Sequence, residues 1–333
     1  MHSRIRVIAL ATAMLASFAG VATAQEKKSL VVAEPVHGTG YLPLYVAIQK
    51  GFLAEENLDV KVLTIDSGAG HTNAVLAGQA FAFIGGPEHN AFAKIKGGEL
   101  RAVVNVVDRG NVYITAKKGL APAPGESMAS FFKGKSIAVS FFGGTPNSVV
   151  HYLLGQWKLN PKTDVTLKEM ANSAILAGVK AGAAQIGVTT EPILTRGIKE
   201  GIWGEPIINI PKQLGPYAYS TLNIREASIK NEPDVVARFV RGIIKGLKFT
   251  DTHHEEALAV AKKEFPTMSL DDLKATIDRS FADEMWSKDG MVSTKSWDTA
   301  EAVVLEAGIL KKPVPYGDII DMQFVKSALA SAK

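Results

Sequence analysis

Short apolar runs, often β-branched, alternate along the first two thirds of the chain with longer stretches whose apolar residues recur at helical spacing. SLVVAE, residues 29–34, reads as a strand and is followed by Gly38 and Gly40. Pro43 then opens a helix over 43–50. The N–H that proline lacks is one a helix start leaves unpaired anyway, and Gly51 supplies a left-handed stop. VKVLTI, 60–65, is a second strand running into Asp66-Ser67-Gly68-Ala69-Gly70 and a helix through 73–76. A third strand, 81–84, leads through Gly85-Gly86 to a helix from Pro87 to Lys96, and 101–107 is a fourth. The phrase then returns: SIAVS at 136–140, the loop Gly143-Gly144-Thr145, and a helix from Pro146 to about 157. Strands at 163–167 and 185–189 flank a helix over 172–181, and Pro192 opens another. This alternation predicts open, mostly parallel sheets with helices on both faces. Ala77-Gly78 and Ala80 are echoed by Ala181-Gly182 and Ala184, and Gly97 by Gly201, which points to two similar lobes. From Asn231 onward helix follows helix, punctuated by Pro266, Gly290 and Pro313-Val314-Pro315.

The first residues stand apart from this pattern. Arg4 and Arg6 precede an Ala-rich apolar run ending in Ala22-Thr23-Ala24, the layout of a secretory signal peptide cut after Ala24. The run is shorter than the roughly 20 strongly apolar residues of a membrane anchor. Cleavage removes 24 of 333 residues and lowers the formal charge of +4 by two, so the chain lacks the basic excess of a nucleic-acid binder. Cysteine is absent, which excludes disulfides, thiol catalysis, Cys-metal sites and a lipid-bearing Cys. A soluble exported protein without a lipid anchor suits a periplasm.

Several loops join a strand end to a helix started by proline: 37–43, 85–87, 141–146 and 189–192, with 68–70 as a fifth lacking the proline. A helix start carries free N–H groups and partial positive charge, worth about 0.3–1 kcal/mol toward an anion. Any one such loop reads more plainly as turn geometry; their recurrence points to a small-ligand site beyond the strand ends. No motif for a cofactor, a phosphate-binding P-loop or a metal is present, and no nucleophile elbow. The adjacent His253-His254 diverge on a helix. His37, His71 and His89 fall in strand-end loops beside Tyr41, Ser67 and Asn90 and are candidate ligand contacts. Arg109 either grips a carboxylate or sulfonate or forms an interlobe salt bridge. Glu88 and Glu191 are either dipole partners of their helices or contacts for an amine or N–H-bearing heterocycle. Phe141, Phe142, Tyr217 and Tyr219 either stack on a ligand ring or pack the core.

Pro43-Leu44-Tyr45-Val46-Ala47, Lys50-Gly51-Phe52-Leu53 and Asn57-Leu58-Asp59-Val60, with Phe83-Ile84-Gly85 and Lys133-Gly134-Lys135, resemble the periplasmic solute-binding proteins of ABC importers. The branch is the one handling taurine, alkanesulfonates, nitrate and thiamine-pyrimidine precursors. The chain departs from the branch where Phe81-Ala82 replaces a usual aspartate and where Thr190-Glu191-Pro192 replaces Trp-x-Pro. The resemblance implies an α/β, type II periplasmic binding fold of two lobes joined by two crossover strands. The expected division is signal peptide 1–24, lobe 1 over 25–110, lobe 2 over 111–216 and a return to lobe 1 over 217–333. The implied ligand loops are Gly38-Thr39-Gly40-Tyr41, Ser67 to His71, Gly86 to His89, Gly143 to Asn147 with Gly144 and Thr145, and Thr189-Thr190-Glu191. The implied function is capture of a small organic ligand, an organic anion first and an amino-pyrimidine-like heterocycle second, for delivery to an inner-membrane permease. No cofactor, metal or nucleic acid is expected, and the protein is expected to be a monomeric non-enzyme. A periplasmic enzyme and a sensory module on the same scaffold are the alternatives. Intact-mass analysis of the exported protein should give a chain beginning at Gln25; a mass retaining Met1 to Ala24 would contradict the signal peptide.

Overall fold

The computed structural model describes residues 27–331, and the expected signal peptide lies outside the described residues. Ten strands form two five-stranded sheets. The strands are β1 (Lys28–Glu34), β2 (Leu58–Thr64), β3 (Ala82–Gly85), β4 (Leu100–Arg109), β5 (Tyr113–Ala116), β6 (Ser136–Val139), β7 (Thr166–Glu169), β8 (Ile186–Thr189), β9 (Ile208–Asn209) and β10 (Pro216–Arg225). The first sheet runs β2-β1-β3-β10-β4 and the second β7-β6-β8-β5-β9. In each, the fourth strand alone runs against its neighbours: β10 is antiparallel to β3 and β4, and β5 to β8 and β9. The two sheets share one plan, which the echo between the Gly78 and Gly182 turns anticipates. The strand expected at 163–167 lies instead at Thr166–Glu169, because residues 161–164 form a turn in which Asp164 accepts from the N–H of Asn160. β5, β9 and β10 were not expected from the hydrophobic pattern.

The chain passes from the first sheet to the second between β4 and β5, and returns between β9 and β10. Buried Asp283 ties these crossings together. Its carboxylate accepts from Tyr113 Oη at 2.8 Å and from Asn209 Nδ2 at 3.1 and 3.2 Å. The exposed edge of β4 is covered by the C-terminal segment, whose Ile319 carbonyl accepts from the Ala102 N–H.

The helix Leu42–Gln49 has Pro43 in its first turn, and its N-terminal end sits at the gap between the sheets. The long helix Pro233–Thr252 presses on it with an apolar stripe that includes Val236, Phe239, Val240, Ile243 and Leu247. The two come together at Gly246, where a Cβ would stand 2.4 Å from the Pro43 carbonyl oxygen and 2.8 Å from the Ala47 methyl. Glycine there sets the position of a helix start that borders the gap. Gly246→Ala should therefore push the helices apart and cost about 1–3 kcal/mol in urea unfolding. A cost below about 0.5 kcal/mol would show that the close approach is not needed.

Candidate functional site

The C-terminal ends of β1, β2 and β3 face those of β6, β7 and β8 across one cleft. The loops leaving these strands bring the starts of the helices Leu42–Gln49, Gly70–Leu76, Glu88–Lys94, Thr145–Gln156 and Ile193–Lys199 to it. The cleft holds about 680 Å³ of non-atom space including its open mouth. It is a slot between lobes that touch, bridged by hydrogen bonds from one to the other.

Of the residues expected to meet a ligand, Gly38, Gly40, Tyr41, Ser67, His71, Gly86, His89, Gly144, Thr145, Thr190 and Glu191 line the slot. Six others do not. His37 turns outward to Glu34, Tyr45 and the Glu264 carbonyl, and its hydrogen bond to Glu34 raises its pKa. Thr39 and Glu88 lie buried behind the wall. Asn147 donates to the Ser140 carbonyl and Glu169, bracing the loop after β6. Tyr217 is buried edge-on against Tyr219. Arg109 lies behind the crossover, where its guanidinium reaches Glu284 at 2.8 Å and Asp108 at 3.4 Å. Phe141 lines the slot and Phe142 stands exposed at its rim. Sequence reasoning missed Asp66, Asn111, Ser140, Asn172 and Ser220. These are short polar residues whose signal is only their place at a strand end or in the crossover.

The lobes meet through specific bonds. Thr145 donates to buried Glu88 at 2.6 Å, and Ser173 donates to Asp66 at 3.1 Å. On the other flank, Arg279 from the helix Leu270–Ala282 donates to Glu191 at 3.1 Å and to Glu205 at 2.9 Å. Glu191 also accepts the N–H and hydroxyl of Thr195, so both its carboxylate oxygens are engaged. Gly68 touches the Phe142 backbone so closely that a Cβ would stand 2.5 Å from its carbonyl oxygen.

A histidine chain crosses the seam. His89 Nε2 lies 2.9 Å from the Gly143 carbonyl oxygen, and His89 Nδ1 lies 3.0 Å from His71 Nε2. A carbonyl can only accept, so a neutral His89 donates from Nε2 and receives at Nδ1. His71 then donates from Nε2, and its buried Nδ1 is left as an acceptor without a partner among the described residues. Burial, reinforced by His89, holds the His71 pKa well below 6.5, so the ring is neutral. Glu88 moves the other way: burial raises its pKa, and its Oε2 also lacks a partner. Asn111 Oδ1 and Ser140 Oγ on the slot wall are unpartnered too. The slot has no lysine or arginine on its walls.

Two outcomes test this geometry. Gly68→Val should hold the lobes apart and enlarge the radius of gyration seen by X-ray scattering; an unchanged profile would mean the seam is not closed as described. His71 is neutral when folded, whereas the unfolded chain takes up a proton below about pH 6.5. Its contribution to stability is therefore complete above that pH and lost as pH falls. Glu88 has the opposite sign, its contribution weakening as pH rises, so the difference between wild type and His71→Gln isolates the histidine. That difference should shrink by up to about 1.4 kcal/mol per pH unit below 6.5. A pH-independent difference would contradict it.

Comparison with known proteins places this geometry. A family model described as NMT1/THI5 like matches residues 39–257. YtlA of Bacillus subtilis, described as a binding protein, is 26% identical over 93% of this chain and 93% of its own. RibY of Chloroflexus aurantiacus, described as a riboflavin-binding protein, is 24% identical over 86% of this chain and 82% of its own. The ligand-binding component of an ABC-type import system from Staphylococcus aureus, solved with zinc bound, superposes with a TM-score of 0.74 at 16% identity. It covers 90% of this chain and 99% of that one. Among the described residues here, no group of three His, Asp or Glu side chains is placed to hold a metal ion. The two-lobed α/β architecture is that of periplasmic binding proteins, and the chain belongs to the NMT1/THI5-like family.

Proposed function

We propose that the protein is an exported solute-binding protein that closes on a small, uncharged, N–H-bearing organic molecule, a flat heterocycle in shape, and delivers it to an ABC importer. The observation that carries this reading is the set of unpartnered polar atoms on three residues that line one slot: the acceptors His71 Nδ1 and Asn111 Oδ1, and the Ser140 hydroxyl, which can donate or accept. A buried acceptor left without a donor costs about 1–3 kcal/mol. The two strict acceptors favour a ligand that brings donors, and the Ser140 hydroxyl can meet either kind of group. Tyr41, Tyr219 and Phe141 on the walls offer ring faces or edges to a flat one. The description of RibY as riboflavin-binding is in keeping with such a shape.

This reading reverses the order of ligand classes expected from the sequence. The organic anion rested on the resemblance to the sulfonate and nitrate branch, on helix starts, and on Arg109, which is paired away from the slot. Those starts remain, but Asp66 and Glu191 share the walls with them and no side-chain cation does. An amine-bearing cation is disfavoured as well, because the Glu191 carboxylate is taken up by Thr195 and Arg279. Turnover is the weaker reading. The chain has no cysteine, and no slot serine hydrogen-bonds a histidine among the described residues.

In the proposed mechanism the lobes, 25–110 with 217–333 and 111–216, rotate about the crossovers that Asp283 holds together. Moving from a mostly open to a mostly closed population requires about 5.5 kcal/mol of preferential binding to the closed form. The partly exposed ion pairs across the seam supply at most about 1 kcal/mol each. The ligand's hydrogen bonds supply the rest. The closed pair of lobes is then the form the permease receives. Among the described residues no helix is long and apolar enough to cross a membrane.

Native mass spectrometry of freshly purified protein should show a bound small molecule that carries no net charge at neutral pH. Ser140→Ala and Asn111→Ala should each weaken its rebinding about tenfold or more, measured by calorimetry. Arg109→Ala should leave the affinity within about twofold. Loss of binding in Arg109→Ala with full binding in Asn111→Ala would overturn the assignment.

A further inference from the structure

A second groove lies at the opposite end of the first sheet, where β1 begins, β3 is approached through the Gly78 turn, and β10 ends at Arg225. It holds about 870 Å³ of non-atom space open to solvent. β1 separates it from the slot by seven residues of strand, roughly 20 Å.

Arg225 distinguishes this groove. Arg101, Arg109, Arg196, Arg238, Arg241 and Arg279 each pair with a carboxylate. Arg225 has no hydrogen bond or ion pair from its side chain to any described residue, and its Nε is fully buried without an acceptor. The guanidinium lies flat against the Gly78 turn, where a Cβ would stand 3.2 Å from Nη1. Gly78 has φ +76°, so glycine is favoured there by the backbone as well as by the contact. The side chain is thereby half-sunk in the groove floor, not waving in water. Around it stand Ser29, Gln79, Ser228 and Asn231, whose side chains make no hydrogen bond to a described residue. Lys28 and Glu232, also on the wall, pair with each other and cancel. The groove therefore carries one uncompensated positive charge, in a planar fork, ringed by hydroxyl and amide groups.

We propose that this groove is a second binding site, separate from the interlobe slot, for a small ligand bearing a carboxylate or phosphate group. The Arg225 fork takes two oxygens of the anion side by side, as guanidinium groups do with both carboxylate and phosphate. Ser29, Gln79, Ser228 and Asn231 bond the remaining polar atoms. Lysine at the same position would present a single point charge without the fork.

The test uses the exported protein labelled with ¹⁵N-arginine, its Arg225 Nε–H resonance assigned by loss in Arg225→Lys. Inorganic phosphate and citrate are titrated separately, with ionic strength held constant by sodium chloride. A saturable shift of that resonance with at least one of the two, and a rise in the unfolding midpoint, is the expected result. A response to phosphate alone assigns a phosphate-bearing ligand, and a response to citrate alone a carboxylate. The thermal response should vanish in Arg225→Gln and need about tenfold more anion in Arg225→Lys. It should weaken in Asn231→Ala, an exposed position whose change spares the fold, and persist in Ser140→Ala. The proposal is overturned if neither anion moves the resonance beyond the chloride control. It is equally overturned if Arg225→Gln, or Arg225→Lys and Asn231→Ala together, keep the full thermal response.

Discussion

Two lobes that close on each other bury polar groups from both sides, and each must find a partner across the seam or wait for one from a ligand. That constraint organises this molecule. His89 finds the Gly143 carbonyl, Glu88 finds Thr145, and Glu191 finds Arg279. Among the atoms left over, those on His71, Asn111 and Ser140 belong to residues that line the slot. The same seam thus defines the closed shape and what that shape will accept. The pairing also explains why the slot presents so little charge: Asp66 is bonded to Ser173 and Glu191 to Thr195 and Arg279, while Arg109 is held by Glu284 away from the slot.

The way the fold delivers these groups is economical in elements. Each sheet repeats one strand order with one reversed strand, and in both it is the strand that a crossover leads into. Parallel strands then point their C-terminal ends at a shared gap, and the loops leaving them need only a few residues before a helix begins. Pro43, Pro87, Pro146 and Pro192 mark those beginnings. The helix starts are held from behind by packing, most tightly where Gly246 meets the Pro43 carbonyl.

Much of this was legible in the sequence. The strand–glycine–proline phrase located β1, β3, β6 and β8 with the helices that follow them, because each is a local signal: a β-branched run, a turn, a fixed φ. β10 was not legible. It begins with proline and carries Ser220, Thr221 and Asn223 among its buried positions, so its polarity hides it until its neighbours pair with it. Asn223 is bonded there to Asn90 and the Gly85 carbonyl, contacts reaching far along the chain. The slot was half legible. Loop membership brought out His71, His89 and Thr145, whereas Arg109 lies away from the slot on Glu284, a partner too distant in sequence to be read from spacing. Asn111 and Ser140 look like ordinary loop residues until both lobes are in place. The histidine chain could not be read from spacing, since its last member is a backbone carbonyl of the other lobe.

Capture requires that these lobes move relative to each other and that a small molecule draw them shut. The absence of cysteine makes this directly measurable, because introduced pairs label without background. Spin labels at Ile95→Cys on one lobe and Lys168→Cys on the other would report the interlobe distance by electron–electron resonance. The small molecules released by denaturing freshly purified protein serve as the added ligand. Dialysed protein should give a broad or long distance distribution that collapses to the closed distance on their addition. A single distribution, identical before and after while calorimetry shows binding, would contradict capture by closure.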